Sequence, residues 1–322
     1  MEYTNIQTQG SSVAHTFLSL PEWRVRGISR NPGSPAAQAL STQGVEIVQG
    51  DLDDKDSLIP AFIGATVIFS NTDYFTTIFA ALGSGDTSTS LSLKKKAFHR
   101  EVLQNVNAAE AAASPLVLQT LERFVISSLA DATKWSGGKL TTVFHFDSKA
   151  ESIRLIKSRF PELAKRMSML QLGHYVANWK YGFMGPQKQA DGSFLTFRQN
   201  AADTKFQFVD THRDTGGFVR ALVEFLPAGK TMAAVSETLT WPEWMRIWGE
   251  VNGVKAGFKQ VSKEEFWKGI PEPLAEELSD SFDFIEEFGI TGGDPDVLTA
   301  DQVSGYSLKM LGVSFITLIG RF

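Results

Sequence analysis

Between residues 10 and 170, short β-branched runs alternate with helical patterns, and this alternation restricts the fold more than any other feature of the chain. EWRVRGIS (22–29), VEIVQG (45–50), ATVIFSN (65–71), RFVISS (123–128) and SMLQL (168–172) read as strands. Between them, SPAAQALSTQG (34–44) reads as a helix closed by Gly44. So do 55–63 behind the acidic turn DLDD, an Ala-rich stretch near 94–114, and 145–159. β-branched side chains fit a pleated surface, and a glycine past the last periodic residue stops a helix. Strands separated by whole helices pair in parallel, with the helices covering the faces.

The expected fold is therefore α/β, a Rossmann-like doubly wound parallel sheet over residues 1–172. After residue 173 the pattern changes to aromatic-rich loops, a strand at TKFQFVD and a helix at TGGFVRALVEFL. TWPE (240–243) and SKEE (262–265) carry the Ser/Thr-x-x-Glu spacing of a helix start. Residues 173–322 are expected to form a smaller, mostly helical substrate region, interleaved with the first domain and closing over the C-terminal edge of the sheet.

The first strand of such a sheet runs into a glycine-rich turn, and the following helix points its N-terminal N–H groups at a dinucleotide pyrophosphate. Gly10, with SSVAHTFLSL behind it, fits the last of three glycines spaced by three, and Gln9 precedes it. Gln7 and Thr4 stand where the other glycines are expected. EYTNI (2–6) leaves room for a shortened strand only, against about five residues in an ordinary one. Such a loss leaves two neighbouring strands with unpaired edges.

A net charge of −5 argues against a nucleic-acid partner held on a basic surface. Lys94-Lys95-Lys96 is the one basic run and reads as a solvated helix start. With no cysteine, disulfides, thiol nucleophiles and Cys-ligated zinc are excluded. The five histidines are too dispersed for a convincing metal site. No apolar run reaches the roughly 18 residues of a membrane span. The longest, MLGVSFITLIG near the C-terminus, suits a strand or core segment. A cytoplasmic protein is expected, or a nuclear one if it acts as a regulator.

From RVRGISRNPGSPAAQALSTQGVEIVQGDLDD onward the chain resembles the NmrA-like proteins, atypical members of the short-chain dehydrogenase/reductase superfamily abundant in filamentous fungi. TDYF (72–75), EVLQNVNAAEAA (101–112) and RFVISSLADATKWSGGKLTTVFHFDSKAE (123–151) continue the resemblance. It persists more weakly through LQLGHYVANW (170–179) and FVDTHRDTGGFV (208–219). The resemblance implies a cofactor, NADP(H) or less readily NAD(H), in proteins that are either reductases or redox-sensing regulators.

The residues speak to the cofactor independently. Arg30 ends the second expected strand about 20 residues after Gly10, where a carboxylate favours an NAD ribose and an arginine fork favours a 2′-phosphate. Asp51 follows the third strand and either meets the adenine or caps the 55–63 helix. Thr72, Asp73 and Tyr74 follow the fourth, where the family's loop passes the nicotinamide ribose. A buried Tyr74–Phe75 pair packing the sheet edge is the alternative.

Reductases of this superfamily commonly place Tyr-x-x-x-Lys on one helical face and a serine at the end of the fifth strand. Here the segment reads His145-Phe146-Asp147-Ser148-Lys149, with Ser128 at the serine position. Lys149 stands in the lysine's place as ribose anchor, and His145 replaces the tyrosine. Histidine titrates near neutrality and can act as proton donor, or sit as a hydrogen-bonded, partly buried ring. GHYVANWKYGFM points to Tyr175, Asn178 and Trp179, with Tyr181 and Phe183, as the lining of an apolar pocket beside the nicotinamide. Three readings follow. The first is an NADP(H)-dependent oxidoreductase acting on a small apolar carbonyl or enone-type metabolite, as in fungal secondary metabolism. The second is a non-catalytic sensor with a protein partner. The third is a cofactor-free protein on the same fold.

Overall fold

The computed structural model describes residues 5–180 and 182–303. The apolar run MLGVSFITLIG and Tyr181 lie outside the described residues. Strands β1 (Arg26–Ser29), β2 (Glu46–Gln49), β3 (Val67–Ser70), β4 (Arg123–Ser128) and β5 (Met167–Leu172) occur where the β-branched runs predict them. All their pairings are parallel. Helices Pro35–Ser41, Lys55–Phe62, Ser90–Ala112 and Phe144–Arg159 separate them as expected.

β3, β4 and β5 continue through strands Thr231–Ala234 and Val297–Leu298 into a five-stranded parallel sheet. β1 and β2 form a second, two-stranded sheet of their own. Among the described residues no strand pairs with the free edge of β1 or of β3. In the strand order of a dinucleotide-binding fold, that interval is the position of the first strand. Side chains join the two pieces instead: the Arg26 guanidinium donates to the carbonyls of Ala61 and Ile63, 3.0 Å each, at the end of the 55–62 helix.

The N-terminal expectation needs correction. Asn5 to Leu18 is a helix, α1, so no shortened strand runs through residues 5 and 6, and residues 1–4 lie outside the described part. Gln9 and Gly10 sit inside α1 rather than in a turn before it. Helical spacing wins because Val13, Ala14 and Phe17 fall on one face and pack on the sheet side of the molecule. α1 lies against helix Thr215–Arg220, where Gly216 donates its N–H to Ser12 Oγ at 3.0 Å. A Cβ at Gly216 would overlap Thr16 Oγ1 and the Ser12 carbonyl.

The region after β5 adds two three-stranded sheets to the helices expected there. Strands 174–175, 205–209 and 237–240 form one, and 187–188, 194–198 and 256–260 the other. Helix Trp241–Asn252 opens on the expected capping box, with Glu243 N donating to Thr240 Oγ1 and Thr240 N to Glu243 Oε2. Its buried Trp241, Trp244 and Trp248 meet Phe206, Phe208 and Phe282 in an aromatic core that joins this region to helix Glu272–Phe288. That helix thereby lies across the C-terminal ends of β3 to β5.

Two glycines give opposite expectations. Gly216→Ala should destabilise the protein by about 1–3 kcal/mol, because the added methyl meets backbone that cannot withdraw. Gly10→Ala, with open space around its Cβ position, should stabilise nucleotide-free protein by about 0.5–1 kcal/mol through helix propensity. Urea unfolding of both variants checks the pair. Equal effects would mean that the α1 contact with the 215–220 helix is not close.

Candidate functional site

β3, β4 and β5 end together, and the residues just beyond them face the helices that close the sheet. Several buried polar atoms here or beside it have no hydrogen-bond partner among the described residues: Asn71 Nδ2, Ser128 Oγ, Gln171 Oε1 and Gln9 Oε1. An unsatisfied buried polar group costs about 1–3 kcal/mol, so these four atoms are available to a polar ligand near the strand ends. The Gln9 amide also donates to the Tyr175 hydroxyl at 2.7 Å, tying α1 to the segment after β5.

Glu101, on the 90–112 helix, organises the next layer. It is 1% exposed. It accepts from Lys149 Nζ and Ser148 Oγ on the 144–159 helix, and from Thr72 Oγ1 at 2.8 Å. Asn105 donates to Thr72 Oγ1 and Ser152 Oγ, 3.2 Å each. Lys149 is thus a buried, paired lysine and not an exposed one. Asp73 accepts from Phe75 N and Thr76 Oγ1 at the start of helix Phe75–Ser84. Burial pushes its carboxyl above the ordinary range, and the nearby Glu101 adds to that.

One turn before Lys149, His145 meets a second buried carboxylate. Glu277 of the 272–288 helix is fully enclosed and contacts His145 Nδ1 at 2.6 Å and His145 N at 2.7 Å. The Tyr74 hydroxyl reaches Glu277 at 3.3 Å and the Lys94 carbonyl at 3.2 Å. Tyr74 is 2% exposed, so it belongs to the packed edge together with Phe75. Its hydroxyl is pushed up, first by burial and then by Glu277.

These groups open onto a cavity of about 190 Å³. Thr72, Asp73, Ser128, His145, Lys149, Tyr175 and Asn178 supply its polar side. Phe75, Phe79, Leu274, Leu278, Phe282 and Ile285 make up much of its apolar wall. Phe183 lines it as expected, whereas Trp179 does not: its ring packs edge-on against Trp248 in the aromatic core. His174 also borders the cavity, ringed by Phe206, Phe208, Trp241 and Phe282. Burial, and then the cation of Arg198, lower its pKa to about 3. Arg198 itself is buried 3.9 Å over the Trp241 ring and donates to the Met184 carbonyl, and burial lowers its pKa to about 9.

The remaining candidates lie on the other sheet. Arg30 is exposed at the end of β1. Asp51 does not cap the 55–62 helix, because Asp54 takes that role by accepting from Asp56 N. Asp51 accepts instead from Asp53 N, within a tight local turn. Lys94 is not solvated either. It is 2% exposed and paired with Glu276 at 2.6 Å, while Lys95 and Lys96 face solvent. Sequence reasoning missed Glu101, Glu277 and the apolar wall from the 272–288 helix.

The sequence pattern of the NmrA-like family matches residues 8–311, nearly the whole chain. The chain belongs to the NmrA-like family. One relative, the NmrA-like family domain-containing oxidoreductase hkm9 of Aspergillus hancockii, is 28% identical over 279 residues, covering 82% of this chain and 76% of its own length. Among solved structures, the negative transcriptional regulator NmrA in complex with NADP superposes with a TM-score of 0.65 at 16% identity, over 95% of this chain and 89% of that one. The Escherichia coli NADPH-dependent quinone oxidoreductase QOR2, complexed with NADPH, gives 0.64 at 18%, over 98% and 96%. Both likenesses are of fold. No helix among the described residues is long and apolar enough to cross a membrane, and none of their His, Asp and Glu residues group into a metal site.

Breaking the Glu101–Lys149 pair leaves a buried charge alone. Lys149→Met should therefore cost about 3–5 kcal/mol in urea unfolding, and adding Glu101→Gln should restore most of it. Lys149→Met as stable as the natural protein would mean that the pair is not buried in solution.

His174 gives a pH signature. Its folded pKa lies below the unfolded one, so the unfolded chain binds the extra proton and stability falls as pH drops from about 6.5 toward 3. By pH 5 the loss should reach about 1–2 kcal/mol for this partly exposed ring. His174→Gln should flatten that slope, and an unchanged slope would mean that His174 is solvated.

Proposed function

We propose that the chain is an NADPH-dependent oxidoreductase acting on a small apolar carbonyl or enone-type compound. The observation that carries this reading is the cavity where Lys149, Ser128 and His145 face an apolar wall at the ends of parallel strands. The partnerless Ser128 Oγ, Gln171 Oε1, Asn71 Nδ2 and Gln9 Oε1 fit a polar cofactor there. The oxidoreductase name of the hkm9 relative and the nucleotides bound by NmrA and QOR2 support it.

In this reading Lys149, held by Glu101, offers its ammonium to the nicotinamide ribose beside Thr72 and Asp73. Arg30 takes the 2′-phosphate and Asp51 borders the adenine, while Gln9 and Gly10, inside α1 with their N–H groups in helical bonds, do not form the expected pyrophosphate turn. When bound, NADPH supplies a hydride. The chain's own residues orient the acceptor: Ser128 offers its free hydroxyl to the substrate oxygen, Tyr175 and Asn178 border the ring, and Phe75, Phe282 and Ile285 keep water out. Tyr74, tied to Glu277 and the Lys94 carbonyl, serves as support rather than as a cofactor contact. A sensor without turnover is the second reading. His145 in the place of the usual tyrosine and the fold shared with a transcriptional regulator favour it.

Tryptophan quenching and calorimetry with NADPH and NADH test the reading. NADPH should bind in the micromolar range with at least about tenfold preference over NADH, a difference of about 1.4 kcal/mol. Arg30→Asp should erase the preference. No binding of either nucleotide at millimolar concentration would overturn both the enzyme and the sensor.

A further inference from the structure

The contact between His145 and Glu277 orders the protons around the ring. Glu277 Oε1 accepts the backbone N–H of His145 at 2.7 Å and meets His145 Nδ1 at 2.6 Å. An ionised carboxylate oxygen carries no proton and can only accept, so the Nδ1 contact is a donated N–H as well. Nδ1 is then the protonated nitrogen of the neutral ring. Nε2 has no hydrogen-bond partner among the described residues and is the nitrogen left for the cavity that His145 lines.

The ring is also held in plane. Phe75 and Phe146 lie 5.1 and 4.8 Å from it, centroid to centroid, and Tyr74 6.1 Å. The groups that face His145 come from four elements. Glu277 lies on the 272–288 helix, and Tyr74 and Asp73 follow β3. Glu101 lies on the 90–112 helix, beside Lys149 one turn along from His145. The ammonium of Lys94, whose carbonyl receives Tyr74, is neutralised by Glu276. Glu277 is therefore the one carboxylate in contact with the ring. Enclosing a carboxylate completely is costly unless its partners are good, and here two of its three contacts go to His145 and the third to the Tyr74 hydroxyl.

We propose that Glu277 is the positioning residue of an acid–base dyad in which His145 Nε2 delivers the proton to the substrate oxygen. The proposal rests on the oxidoreductase reading given above. Bound NADPH would supply the hydride, one of its C–H bonds breaking as a C–H bond forms at the substrate's carbonyl carbon, and the carbonyl π pair becomes the new oxygen lone pair. The Nε2–H bond of the imidazolium breaks, its electrons stay on nitrogen, and an O–H bond forms. The ring is left neutral with its remaining proton on Nδ1 against Glu277, and a proton from water restores it. The same carboxylate thus balances the charged ring before transfer and fixes its tautomer afterwards, as an orienting acid does for a catalytic imidazole elsewhere.

Full-length protein labelled with ¹⁵N-histidine tests this by long-range ¹H–¹⁵N correlation of the five imidazoles, His145 being assigned through His145→Gln. The neutral His145 ring should be protonated at Nδ1 and bare at Nε2, and Glu277→Gln should abolish that preference. An Nε2–H tautomer in the natural protein would overturn the proposal, and so would a spectrum indifferent to Glu277→Gln. The natural protein's spectrum decides the tautomer even where the variant does not fold. With trans-cinnamaldehyde as probe carbonyl, Glu277→Gln should lower kcat by about 10²-fold or more at unchanged NADPH affinity and move the pH profile of kcat. An unchanged kcat and pH profile would sink the proton-delivery role. NADPH binding without any turnover by the natural protein would count against the oxidoreductase reading, and the tautomer alone would then decide whether Glu277 positions the ring.

Discussion

Glu101 is a carboxylate that water scarcely reaches, and much of the site is arranged around keeping it satisfied. Lys149 and Ser148 come to it from one helix and Thr72 from the end of β3, and Asn105 on Glu101's own helix donates to Thr72 in turn. A buried carboxylate that loses its cation is strongly unfavourable, whereas one surrounded by donors is tolerable. The cluster therefore fixes how the 90–112 and 144–159 helices sit against the sheet. It also delivers Lys149 to the cavity in a defined orientation, at the cavity's polar end. His145, one turn away, inherits that placement and finds Glu277 on the far side.

How much of this was legible depends on whether a residue's partners are near in sequence or distant. β4 was read to its end residues because all but its first residue are buried, leaving a continuous apolar signal. β1 came out shorter than the run 22–29, which includes an exposed turn before Arg26. Lys149 and Ser128 could be placed from the spacing of the HFDSK helix and the preceding strand. Glu101 and Glu277 could not. The inner face of the 90–112 helix carries Lys94, Glu101, Gln104 and Asn105, a polar stripe that hydrophobic periodicity assigns to solvent. Lys94 was misread for the same reason, since Glu276 stands 182 positions away. Glu277 sits among acidic neighbours on a helix whose outer face is also acidic, so nothing local singles it out. At residues 5 and 6, the described part of the strand expected at 2–6, a helix stands instead, because glycine spacing was weighed above the helical spacing of Val13, Ala14 and Phe17.

The two sheets bear on the nucleotide reading in a way that neither does alone. Lys149, Ser128 and Thr72 belong to the β3–β4–β5 piece, whereas Arg30 and Asp51 belong to the β1–β2 piece. Among the described residues no backbone ladder joins the two. Arg26, the bonds of Arg100 and Gln104 to Asp53 and of Asn107 to the Leu52 carbonyl, and the packing of α1 hold them, and side-chain links are individually weaker and more yielding than a shared strand. A dinucleotide reaching from Lys149 to Arg30 would span both pieces. Its binding energy would then be spent partly on fixing their separation, and a ligand that binds only the folded arrangement stabilises it in proportion to the logarithm of its concentration over Kd. On the proposed binding mode the cofactor would be part of what holds the sheet's halves in register, and a 2′-phosphate on Arg30 would fasten the end of the nucleotide that lies on the β1–β2 sheet.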